Sequence, residues 1–242
     1  MRKSLKNLEK KDWLLWSISM VMVVLANLLT GMVDMVNLAA TVIGVTALIF
    51  VAKGDVLGQV LTFIFAVLYS ITSWRFRYYG EILTYMGMTA PIALLSVVSW
   101  LKNPYEKGKV EVKIQRLNRK QMGIMWCLTV LVTGVFGWLL YMLDTPNLLF
   151  SIVSITTSFL ASALMFFRNS NYALAYGAND VVLIILWVLA STENIAYLPM
   201  IVCFAMFLVN DLYGYVNWRK REHSQGLVTG GQGRPEAPSI DA

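Results

Sequence analysis

The stretch richest in chemistry is Tyr176-Gly177-Ala178-Asn179-Asp180, which heads an apolar run continuing through Trp187. An amide and a carboxylate stand side by side in a segment apolar enough to enter a bilayer. An ionisable group in that position costs about 2.5–3.5 kcal/mol on insertion scales, so it has a partner or a function. Tyr176 and Asn179 are three apart and Asn179 and Trp187 eight apart, which puts them on one helix face with Asp180 beside it. Aromatic rings, an amide and a carboxylate on one stripe suit a small polar molecule, above all a cation, held between helices. Comparable groups stand elsewhere in apolar runs: Gln59, Phe63, Tyr69 and Trp74, then Thr84 and Tyr85, and later Asn210 and Asp211. The expected binding set is Tyr176, Asn179, Asp180, Trp187, Gln59, Phe63, Tyr69, Thr84, Tyr85 and Asn210. The plainer alternatives are packing for Tyr69, Tyr85 and Trp187, and a structural pairing for Asp211. Trp74, Trp100 and Trp218 read as members of an interfacial aromatic belt, and Glu81 and Glu193 as solvated turn residues.

No catalytic arrangement competes with a binding site. The single histidine, His223, lies in the polar tail, and Cys127 and Cys203 fall within apolar runs, where cysteine behaves as a small hydrophobe. A His/Cys metal site, a histidine general base, a Gly-x-Ser-x-Gly elbow and a lysine-bearing phosphate loop are all missing from the sequence. The chain reads as a non-enzyme that needs no cofactor.

The elements that position these residues are membrane spans. The chain is 57% hydrophobic and 14% charged, with mean hydropathy +0.62, which a soluble domain of 242 residues has no means of burying. The net charge of +6 lies in short blocks between apolar runs, so it points to anionic lipid and not to nucleic acid. Spans are expected at 14–30, 36–52, 56–74, 80–101, 122–143, 146–167, 172–190 and 196–218, each near the ~20 residues a helix needs to cross the hydrocarbon core. The basic start, Met1 to Lys11, leads through Trp13 and Trp16 into a run too long for a cleaved leader, with a short break at Gly31–Asp34 before the next span. With the N-terminus inside, 18 of the 20 lysines and arginines fall on the cytoplasmic side, leaving Arg75 and Arg77 outside. Both termini are therefore expected in the cytoplasm. Pro91 sits within the fourth span and predicts a kink.

The fourth and eighth spans match in frame: Tyr79 stands 21 residues before Trp100, and Tyr197 stands 21 before Trp218. Gly58 and Gly177 occupy similar places further back, and Asn37 and Asn147 open the second and sixth spans. The expected organisation is an N-terminal segment with an extra helix (1–35), a three-helix unit (36–101), a basic loop (102–121), a linker helix (122–145), a second three-helix unit (146–218) and a disordered tail (219–242). Two such parallel repeats are typical of transporters, with the site at their interface.

The Tyr78-Tyr79-Gly80-Glu81 turn, the Met86-Gly87-Met88-Thr89-Ala90-Pro91 run and the Ser99-Trp100-Leu101-Lys102-Asn103-Pro104 exit resemble the PnuC family of vitamin transporters. So do Glu111-Val112-Lys113 to Leu117-Asn118 and the closing Gly214-Tyr215-Val216-Asn217-Trp218. The resemblance covers about residues 36–220. It implies an all-α, SWEET-like membrane protein of eight transmembrane helices, two parallel repeats in a 3+1+3 arrangement and one extra N-terminal helix. It also implies a bacterial plasma membrane location, a homotrimer, and facilitated uptake of nicotinamide riboside that cytosolic phosphorylation traps. Alternating access about the central site is the implied mechanism, with Gly87 and Pro91 as flexing points. One departure bears on the substrate: Tyr176 and Asn179 stand where many members carry a Trp-x-x-Trp pair, and the only literal copy here is Trp13 to Trp16. Relatives on similar scaffolds are associated with thiamine, riboflavin or deoxynucleosides.

Overall fold

The computed structural model describes residues 2–29, 35–75, 78–106, 110–192 and 194–226. The expected break at Gly31–Asp34, the positions of Arg77 and Glu193, and the tail from Leu227 lie outside the described residues. Within them the chain is helical, and eight helices are long and apolar enough to cross a membrane. After a short α1 (Arg2–Lys6) come α2 (Lys10–Leu29), α3 (Met35–Ala52), α4 (Val56–Arg75) and a composite span of α5 (Tyr79–Thr84), a π-helical turn (Tyr85–Thr89) and α6 (Ala90–Lys102). Then follow α7 (Arg119–Met142), α8 (Leu148–Phe166), α9 (Tyr172–Ser191) and α10 (Leu198–Ser224).

Local chemistry explains the ends and breaks. Asn118 accepts from the Gln121 N–H at 2.8 Å while the Gln121 side chain accepts from the Asn118 N–H at 3.1 Å, a reciprocal cap that starts α7. Pro91 supplies no N–H, and the turn before it is wide: the Ala90 N–H bonds to Tyr85 O, five residues back. Between α3 and α4 the chain reverses at Gly54 (φ +66), where a side chain would be strained. Gly58 then allows α4 to close on α3, since a Cβ there would come 2.5 Å from the Val51 nitrogen.

Two apolar clusters organise the interior. One joins Phe65, Tyr69, Tyr85, Leu183, Trp187, Phe204 and Phe207 from α4, the π turn, α9 and α10. The other lies at the end carrying the basic loop and includes Val51, Trp100, Val112, Ile114, Met165, Tyr172 and Trp218. Trp126, Val130, Leu131 and Trp138 of α7 face outward, as a lipid-facing surface requires.

Three sequence expectations are corrected here. Trp100 and Trp218 are 1% and 0% exposed and so are not belt residues, whereas Trp74 is 66% exposed. The indoles are buried because their N–H groups find backbone carbonyls inside the protein. Glu81 is 2% exposed and not solvated, since the Tyr69 hydroxyl donates to it at 3.3 Å. Arg219–Ser224, assigned to a disordered tail, continues α10. Its Glu222 is buried and accepts from Arg116, Ser170 and Arg219 at 2.7–2.8 Å, an anchor for the extra turn.

The basic loop is packed and extended over 110–118, with Arg168 as its rivet. That guanidinium donates to Lys113 O, Ser99 Oγ and Gln115 Oε1 at 3.0, 2.6 and 2.7 Å. Burial holds it below the ordinary arginine pKa. On the same end, α2 is tied down by Lys53, whose ammonium meets Asp12 at 2.7 Å and Glu9 at 2.9 Å, while the Tyr213 hydroxyl donates to Asp12. The lysines at 53 and 11 hold the Glu9 carboxyl at a pKa of about 2. Higher up, Trp16 donates to Thr46 Oγ1 at 3.1 Å and Asn210 to Ser19 Oγ at 2.9 Å.

Candidate substrate site

A cavity lies among α3, α4, the π turn, α8, α9 and α10. Aromatic faces of Phe65, Tyr85, Tyr176 and Phe207 line it, and Gln59, Thr62, Thr89, Asn179, Asp180 and Asp211 give it polarity. Gly44 makes room at the wall, because a Cβ there would sit 2.5 Å from the Phe207 ring. The enclosed space is about 50 Å³. Pockets that hold small organic ligands run about 300–1,000 Å³, so side chains must withdraw for a nucleoside-sized guest to enter.

The polar groups are unevenly satisfied. Asn179 Oδ1 accepts from Ser154 Oγ at 3.2 Å and Thr157 Oγ1 at 2.9 Å, which leaves its amide N–H groups for the cavity. The Tyr176 hydroxyl pairs with Ser162 Oγ at 3.0 Å, fixing its ring. Asp180 and Asp211 bring their carboxyl groups together. Gln59 Nε2 and Asp180 Oδ2 are buried without a hydrogen-bond partner. An orphaned buried donor costs about 1–3 kcal/mol, so Gln59 Nε2 in the cavity wall points to a guest that supplies an acceptor. No lysine, arginine or histidine is among the described residues that line it.

Of the expected binding set, the structure brings Tyr176, Asn179, Asp180, Gln59 and Tyr85 to this cavity. The other five stand apart from it. Trp187 donates to the Tyr69 hydroxyl at 3.1 Å, and Tyr69 donates to Glu81, so these form a chain beyond the cavity. Tyr78 packs over Trp187 with ring centroids 4.6 Å apart. Thr84 bonds back to Gly80 O at 2.9 Å, Asn210 anchors α2, and Phe63 packs on the apolar cluster. Stripe reasoning missed Thr62, Phe65, Thr89, Phe207 and Met165, and weighed Asp211 without including it. Spacing held the signal for three of them: Thr62 is three from Gln59, Thr89 four from Tyr85, and Phe207 four from Asp211.

Residues 34–220 match the family model described as nicotinamide mononucleotide transporter. The chain belongs to that transporter family, the PnuC family. Among its curated relatives, the nicotinamide riboside transporter PnuC of Neisseria mucosa is 28% identical over 191 residues, covering 76% of this chain and 73% of the relative. The protein of the same name from Haemophilus influenzae is 26% identical over 183 residues, covering 73% and 76%. A crystal structure of the vitamin B3 transporter PnuC superposes with a TM-score of 0.77 at 22% identity, covering 90% of this chain and 94% of that one. The fold is thus that of a multi-pass PnuC transporter, and α2 lies before the matched family segment.

Proposed function

We propose that this protein carries nicotinamide riboside across a bacterial plasma membrane by facilitated diffusion, with both termini in the cytoplasm. The curated relatives bear that substrate in their names. The observation that carries the reading is the cavity's charge pattern: two facing carboxyls, Asp180 and Asp211, within aromatic walls and with no basic lining residue. A pyridinium ring brings a fixed positive charge for the carboxyls and a face for the rings. Its carboxamide offers an acceptor to Gln59 Nε2 and a donor to Asp180 Oδ2. The same pattern disfavours the mononucleotide of the family's description, because a phosphate would meet two carboxyls and no cation.

Alternating access fits a cavity enclosed between two helical groups. The matching turns after α3 and α8 support the 3+1+3 reading: Gly54 and Arg168 both take positive φ, and Asp55 and Asn169 each accept from the backbone N–H two residues on, at 2.9 and 3.0 Å. Assembly as a homotrimer belongs to the same proposal. Liposomes containing only this protein, loaded with labelled nicotinamide riboside outside, supply the test. Saturable uptake that is competed by the unlabelled riboside and not by the mononucleotide, thiamine, riboflavin or thymidine supports the proposal. Binding without uptake would make the chain a sensing subunit, and preferred competition by another vitamin would reassign the substrate.

A further inference from the structure

Two tryptophans hold the helix ends that close one end of the cavity, each bonding to a residue of its lining. Trp100, late in α6, donates its Nε1–H to Met165 O of α8 at 3.2 Å. Trp218, late in α10, donates to Val51 O of α3 at 2.9 Å. Their rings contact each other, centroids 5.6 Å apart. Val51 and Met165 are each the next-to-last residue of their helix, and both line the cavity. Each tryptophan thus reaches from the end of one three-helix unit to the end of the other.

The backbone beyond each acceptor repeats the pattern. The Gly54 N–H bonds to Val51 O at 2.8 Å and the Arg168 N–H to Met165 O at 2.9 Å. The packed basic segment then bonds both turns alike: Val112 N–H to Gly54 O and Gln115 N–H to Arg168 O, each at 3.0 Å. Its Val112 and Ile114 close the apolar cluster beneath the tryptophans. Because each acceptor carbonyl already holds a helix-ending hydrogen bond, losing the indole leaves no orphaned acceptor. Such a contact is firm when made and cheap to release.

We propose that Trp100 and Trp218 form a two-bond latch that closes the cavity toward the cytoplasm, and that releasing both bonds opens it. The inference rests on the transporter reading and on the inside placement of the basic loop. Since the two bonds are equivalent, they share the closing free energy about equally. Trp→Phe keeps the ring and removes only the donor.

The test places Thr62→Cys in the cavity of a Cys127→Ser/Cys203→Ser background and applies a membrane-impermeant thiol reagent from the cytoplasmic face. The expected result is modification roughly 5- to 150-fold faster in the Trp100→Phe/Trp218→Phe pair, from two lost hydrogen bonds. Each single variant is expected to give a smaller and similar increase, and Trp100→His, which keeps a ring N–H, to return the rate toward wild type. The single variants carry the test where the pair fails to fold. Unchanged rates in variants with wild-type melting overturn the latch, as does an effect confined to one tryptophan. Wild-type protein that moves no riboside while its variants still open would sink the transporter reading and leave the latch standing.

Discussion

Asp180→Asn is the sharpest probe of the cavity. The change keeps the shape but replaces the carboxyl that would ionise against a bound cation with an amide that cannot. A hydrogen bond to a charged group is worth about 1.5–3 kcal/mol, so affinity for nicotinamide riboside should fall about 10- to 150-fold. Dihydronicotinamide riboside is the control, since it keeps the carboxamide and ribose and lacks the ring charge. Its affinity should change by no more than about threefold, the scale of a neutral hydrogen bond exchanged for another. Titration calorimetry on the purified protein measures both ligands before and after the substitution. Equal losses for the two ligands would refute the reasoning and leave Asp180 as a structural partner of Asp211. No loss for either would move the cation away from this pair altogether.

Trp187→Phe removes the donor to Tyr69 and should lower stability by about 0.5–1.5 kcal/mol. Riboside affinity should stay within about threefold, because the indole does not line the cavity; a larger loss in calorimetry would put Trp187 back among the ligands. Lys53→Ala leaves Asp12, which is fully buried, without its cation. The expected cost is about 3–5 kcal/mol, read as a fall in thermal unfolding temperature in detergent, and an unchanged midpoint would contradict it. Glu9 gives a pH dependence with a defined sign. Its folded-state pKa of about 2 lies below the ordinary 4.5, so its stabilisation is present above about pH 4.5 and is lost as pH falls through 2. Glu9→Gln should abolish that part of the acid sensitivity of the N-terminal anchor, measured by protease access to residues 2–9 between pH 5 and 2.

The spans were legible because apolar length is a one-dimensional signal. The cavity was half legible. Tyr176, Asn179 and Asp180 share a stripe that periodicity finds, but nothing in the sequence says how far along a helix a cavity extends. Trp187 therefore looked like the stripe's continuation, although two turns on from Asn179 it has left the cavity for the Tyr69 hydroxyl. Trp100 and Trp218 misled for a different reason. A tryptophan near a span's end suits the interface equally well whether its N–H meets water or a neighbour's carbonyl, and only the fold decides.

The wide turn at Tyr85–Thr89 has a consequence for the face the fourth span presents. One residue more than an α-turn holds is accommodated there, so α5 and α6 are out of register by about 100° of helical phase. Tyr85 and Thr89, at the two ends of that turn, both line the cavity, so the extra residue decides which side chains of the fourth span stand in its wall.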